Sequence, residues 1–193
     1  MKILKFNSDK ISSEKIIHYY NSALSALDVK FRQPNDDLRY LTDAERGALF
    51  DSARVELSIE AGFMLLAYVE SLFRTDFVLR VENRKWKDPL TLYFRDTYNV
   101  ATKPYKYGLE DIFYGWRYKS GRCDKQMDNI IANLPQYFKY RNWIAHGRYW
   151  IFDEENYIRR YNFDSICLLV GQIHKHFASS GKCDTAGRLM SAA

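Results

Sequence analysis

Cysteine, glycine and proline are all scarce in this chain, and each scarcity narrows what it can be. The three cysteines, Cys123, Cys167 and Cys183, lie far apart, their number is odd, and no CxxC pair occurs. Neither a disulfide framework nor a zinc site fits that pattern, and reduced thiols are the expected state. Only 9 glycines and 4 prolines interrupt 193 residues, so long segments lack punctuation, and the apolar spacing along them is mostly helical. No apolar run reaches the length of a bilayer span. The longest, AGFMLLAYV at 61–69, is bounded by Glu60 and Glu70, and no membrane partner is expected. The opening MKILKFNSDK has lysines but no apolar h-region. It does not read as a signal peptide, and a cytoplasmic location is expected. No repeat or low-complexity linker divides the chain.

Hydrophobic residues make up 47% of the sequence, enough for one well-filled core and not for two. A single helical domain over 1–180, with its core at about 42–178, is expected, followed by a small, polar tail at 181–193 that should be mobile. The formal net charge of +5 and a pI near 9.0 permit a polyanionic partner without demanding one. Aromatics are conspicuous, with 15 Tyr and 12 Phe. Most should fill the core, although tyrosine-rich surfaces also suit bases and protein partners.

The spacing predicts a first helix over about 12–32, with Ile16, Ile17, Tyr20, Leu24 and Leu27 on one face. QPNDD at 33–37 breaks the chain. Thr42 followed by Glu45 fits a capping box, opening a second helix that runs to about Val81 with a kink near Gly62. Its middle is apolar all round, as in the central element of a bundle. Asp88 and Pro89 start a short helix, PLTLYFRDTY. LEDIFYGWRY is helical. Another helix runs from about Lys125 to His146, bent or opened by Pro135 and stopped by Gly147. YWIFDEENYIRRY reads as a small hairpin within 149–161. A last helix spans about Phe163–Ala178, begun by Asn162 or Asp164. The expected fold is therefore all-α, an up-and-down antiparallel helical bundle with short inserted helices.

The segment YFKYRNWIAHGRYW, 137–150, sets an arginine, an asparagine and a histidine among aromatic rings. On a helix, Arg141 shares a stripe with Leu134, Phe138, Ile144 and Ala145. It therefore points to the packed side or its edge, where a guanidinium needs an anion or a wet cleft. Asn142 and His146, four apart, lie one above the other on an adjoining face, about 140° from Arg141 in the case of the histidine. A histidine in the last turn meets the carbonyl end of the helix, which favours imidazolium by up to about 2 kcal/mol. A cation, a tunable acid or base and an orienting amide match metal-free cleavage of an RNA phosphodiester.

RNWIAHG resembles the R-x4–6-H signature of the HEPN superfamily, matched here by Arg141, four intervening residues and His146, with Asn directly after the arginine and a small residue before the histidine. AYVESLFRTDF at 67–77 resembles the earlier central helix of several HEPN groups, which often carries an acidic residue. The similarity covers roughly 42–178 in helix order, and only these two stretches are specific. It implies an all-α bundle, usually a homodimer, in which two such motifs meet across a symmetric cleft as a metal-independent endoribonuclease. Members serve as toxins, in antiphage defence or in RNA processing. The resemblance implies RNA as substrate, no cofactor and no metal, with Arg141, His146 and Asn142 as the catalytic set. Tyr149, Arg148 and Lys139 are the substrate-contact candidates. In the toxins of two-component bacterial modules a Tyr stands two residues after the His. Here that position is Arg148, and Tyr149 is one further on. A neutralising or activating protein partner would accompany such a toxin.

Plainer readings stand beside these. Arg141 and His146 can be a structural arginine and a capping histidine. Glu70 is the candidate acidic partner of Arg141, or else pairs locally with Arg74, four residues on. His174 and His176, two apart, face different ways on a helix, so no metal site is expected there. His18 reads as structural. KPYKYGLEDIFYGWRYKSGR at 103–122 interleaves basic and aromatic residues that suit single-stranded RNA as well as they suit a loop and a packed helix. Arg159 and Arg160 carry less. The rival function is a non-catalytic module that keeps the bundle and binds a nucleotide, RNA or a protein.

Overall fold

A computed structural model describes residues 11–32, 38–98, 106–120, 125–148 and 161–179. Six helices organise them: α1 (Ser13–Arg32), α2 (Asp43–Glu82), α3 (Pro89–Thr97), α4 (Leu109–Lys119), α5 (Lys125–Ala145) and α6 (Phe163–Ser179). No strand occurs among the described residues. The hairpin expected over 149–161 lies outside them except for Tyr161, as does the tail at 181–193.

Local chemistry accounts for the helix ends. The Thr42 side chain accepts from the Glu45 amide, and Glu45 returns a 2.8 Å bond from the Thr42 amide, completing the capping box of α2. Asp88 caps α3 through the Thr91 amide at 3.1 Å, with Pro89 behind it. Asn162, rather than Asp164, caps α6 by accepting from the Ser165 amide at 2.9 Å. α2 continues unbroken through Gly62. Glycine there leaves room for α6, since a Cβ would come 2.9 Å from the tip of the Ile166 side chain, which would have to shift. Pro135 lies inside α5 on its exposed side.

α2 is the axis: α1, α3, α4, α5 and α6 all pack on it. At 40 residues it is about 60 Å long. Side-chain contacts give the directions. Phe31 of α1 meets Phe50 of α2, and the start of α1 lies beside Tyr68, so the two helices are antiparallel. Phe77 meets Phe94 edge-on, and Arg80 reaches back to Asp88, so α3 reverses again. Phe113 meets Phe138, and Arg117 pairs with Asp128, so α4 and α5 are antiparallel. Arg141 lies at Glu70 and Arg148 at Glu56, so α5 descends along α2. Tyr68 meets His174 and Phe73 meets Phe177, so α6 ascends beside it. The helices thus alternate in direction along the chain, as an up-and-down bundle requires. The core gathers around Leu65, Leu66, Val69, Phe73 and Phe77 of α2, with Ile112, Leu134, Trp143, Ile166 and Ile173 from its neighbours. No helix among the described residues is long and apolar enough to cross a membrane.

Candidate functional site

α5 ends in a defined cap, and the cap sets the site. The Arg148 amide bonds the Trp143 carbonyl and the Gly147 amide bonds the Ile144 carbonyl, both at 3.0 Å. This is a Schellman arrangement in which Gly147, at φ 76°, takes the left-handed position. Arg148 follows at φ 57°, which is uncommon outside glycine. His146 is therefore the last residue in register. Its amide still bonds the Asn142 carbonyl at 3.0 Å, and its side chain is on the exposed surface.

Arg141 lies on the flank of α5 that meets α2. Its Nη2 donates to Glu70 Oε2 at 2.7 Å, and its Nη1 donates to Asn142 Oδ1 at 2.9 Å. The guanidinium sits 5.8 Å from the Phe63 ring centre. The other Glu70 oxygen accepts from Arg74 Nε at 2.6 Å, and Arg74 also donates to the Tyr107 carbonyl at 3.0 Å. The local pair and the long-range pair therefore coexist, one on each carboxylate oxygen. Two guanidiniums share one carboxylate, leaving an excess of one positive charge. Among the described residues, the buried Nε of Arg141 has no hydrogen-bond partner.

Asn142 therefore braces the arginine through its side-chain oxygen. Lys139, Asn142 and His146 recur at spacings of three and four and are all exposed, forming one solvent-facing stripe. Lys139 is about 200° around the axis from Arg141 and belongs with the histidine, not with the arginine. Arg148 makes a two-pronged pair with Glu56 of α2, at 2.9 and 2.7 Å. That bond to Arg148 holds the Glu56 carboxyl below its ordinary range. Tyr149 lies outside the described residues. Tyr140 is buried between Trp143 and Tyr161, and burial pushes its hydroxyl up to about 12, which keeps it protonated near neutral pH.

Periodicity missed two features. Glu56 gives no local sign of meeting a residue 92 positions away. His174 pairs with the Tyr68 hydroxyl at 2.9 Å, and burial lowers its pKa against the pull of Glu14. No group of His, Cys, Asp or Glu among the described residues is arranged to hold a metal. The chain matches no protein-family model, no curated protein and no solved structure.

Proposed function

We propose that this chain is a metal-independent endoribonuclease of HEPN type, acting as a homodimer. The observation that carries the reading is the sharing of Glu70 between Arg74 and Arg141, with an exposed histidine five residues further along the same helix. In this reading, RNA phosphate takes up the surplus positive charge at Arg141. His146 removes the 2′-hydroxyl proton, and the 2′-oxygen attacks the adjacent phosphorus. Arg141 stabilises the charge on the phosphorane. The bond to the 5′-oxygen breaks, and that oxygen receives a proton from imidazolium. The products carry a 2′,3′-cyclic phosphate and a 5′-hydroxyl. Asn142 fixes the guanidinium, while Lys139, Arg148 and Tyr149 contact the strand. A role as a toxin or in antiphage defence, with a neutralising or activating partner, goes with this reading.

The test is cleavage of total RNA in EDTA by the purified full chain. His146→Ala should lose about 10²–10⁴-fold of the rate, the usual worth of a proton-transferring group. No cleavage, or cleavage that survives His146→Ala, sinks the assignment.

One observation favours a second reading, a non-catalytic module that binds a nucleotide, RNA or a protein. Both Arg141 and Arg148 already hold carboxylates. In that case Arg141→Ala weakens ligand binding with no cleavage to lose. Overexpression in bacteria separates the two: growth arrest relieved by His146→Ala belongs to the nuclease, and indifference belongs to the module.

A further inference from the structure

A cleft of about 340 Å³ lies between α5 and α6. Four carboxamides line it: Gln126, Asn129 and Asn133 from α5, and Gln172 from α6. The three on α5 recur at spacings of three and four, so they stack on one face. The rings of Tyr137 and Tyr161 stand at one side, with centres 4.7 Å apart and planes at 72°. Two buried apolar residues, Ile130 and Leu169, complete the described lining, in which no residue is charged.

That lining selects by chemistry. Among the described lining residues a phosphate or carboxylate would meet no cation, and a metal ion no carboxylate. A wholly apolar ligand would desolvate four amides without replacing their hydrogen bonds. A flat heterocycle with both donors and acceptors on its edge suits both features. A carboxamide carries both an oxygen acceptor and N–H donors, although Asn133 spends one N–H on the Asn129 carbonyl at 2.8 Å. Tyr161 is buried against Tyr140, so the half-buried Tyr137 is the ring that takes a stacked base. Tyr137 also precedes Arg141 by one turn, about 6 Å along the axis.

We infer that the α5–α6 cleft is a base-recognition pocket, holding one neutral nucleobase of a single-stranded RNA whose phosphate lies at Arg141. The position of the phosphate rests on the nuclease reading; capture of the base does not.

The experiment titrates the ¹⁵N-labelled full chain with adenosine, guanosine, cytidine and uridine. Nucleosides lack phosphate, so the arginines cannot hold them. At least one nucleoside, and not ribose, should shift the side-chain amide resonances of Gln126, Asn129, Asn133 and Gln172. Gln172→Leu should abolish the shifts. Tyr137→Ala should weaken binding about tenfold, as expected for loss of one stacking partner. Gln172 is exposed, so that variant keeps the test valid should Tyr137→Ala unfold. A 2′-O-methyl oligonucleotide, which cannot be cut by 2′-attack, should bind more tightly than its nucleoside with the same base preference; equal affinity overturns the assignment to a strand. No shift with any nucleoside, or shifts unchanged in Gln172→Leu, overturns the pocket even where RNA is cleaved. Base capture without cleavage leaves the pocket standing and removes the nuclease.

Discussion

Two arginine networks sit close together on the central helix and are built to opposite proportions. Near the end of α2, Arg80 faces two carboxylates, with Nε to Asp76 at 2.7 Å and Nη1 to Asp88 at 2.9 Å. Thr91 accepts from Arg80 at 3.1 Å and donates to Asp88 at 2.6 Å, closing the ring. At Glu70 the proportion is reversed, one carboxylate between Arg74 and Arg141. Burial differs as well. The Asp76 and Arg80 side chains are 0% and 8% exposed, whereas Glu70 and Arg141 are 18% and 27% exposed. An arginine enclosed by acceptors has nothing left to offer, and its work is to lock the corner between α2 and α3. An arginine that shares its carboxylate at the surface is where an incoming anion gains most.

The largest effect should come from opening the closed network. Asp76→Ala leaves a buried guanidinium with half its counter-charge, which typically costs about 3–5 kcal/mol, read from the midpoint of urea unfolding. A loss under about 1 kcal/mol would place the pair on the scale of surface ion pairs and erase the contrast. The next effect tests the cap that places His146 beyond Arg141. Gly147 sits at φ 76°, and no atom lies within 4 Å of where a Cβ would stand, so Gly147→Ala should lose about 1–2 kcal/mol from backbone conformation alone. Thermal melting checks it, and an unchanged melting temperature would mean that the cap is not held. Smaller still is Glu70→Gln, which removes a partly exposed carboxylate and should cost about 1 kcal/mol or less. On the RNA reading the same change raises affinity and steepens the salt dependence, by about 0.7 in log–log slope for each added single-strand phosphate contact. Anisotropy titrations at several salt concentrations read both. If neither moves, the anion is not taken up at Arg141.

The helical scaffold was legible because its signals are local. Thr42 with Glu45, Asp88 with Pro89, and Gly147 each announce a helix end within four residues. The meeting of faces is a different matter. Arg148 with Glu56 and Tyr68 with His174 join residues 92 and 106 positions apart, and periodicity says only that a face is apolar, not what it meets. Glu70 shows the boundary well. Helical spacing sets its local partner, Arg74, against its distant one, Arg141, as alternatives. A carboxylate has two oxygens, and the fold uses both. The amide stripe at Gln126, Asn129 and Asn133 stands at helical spacing in the sequence, yet it takes Leu169 and Gln172 of α6, with Tyr161, to make it a cleft.

The smallest expected effect is that of pH, and it separates the acid-range carboxyls, Asp88 of the closed network among them, from the α2–α6 contact. Burial works against the Asp88 carboxylate, but its bonds from Thr91 and the charge of Arg80 outweigh burial and hold the group below 3.8. A depressed carboxyl stabilises the fold in full above its unfolded value. That contribution is lost as pH falls below 3.8 through the folded value. His174 acts in a higher range. Burial among Tyr68 of α2 and its own helix lowers it from 6.5, although Glu14 of α1 pulls the other way. The unfolded chain then takes up the proton first, so stability falls as pH drops below 6.5 and levels off below the folded value. Melting temperature should therefore step down twice between neutral and acid conditions. His174→Gln, which keeps a hydrogen-bonding partner for Tyr68, should remove the upper step alone, and Asp88→Asn should blunt the lower one alone. Should the upper step persist in His174→Gln, the neutral-range sensitivity lies away from the α2–α6 contact, and the change that Asp88→Asn makes in the acid limb would still report on the closed network.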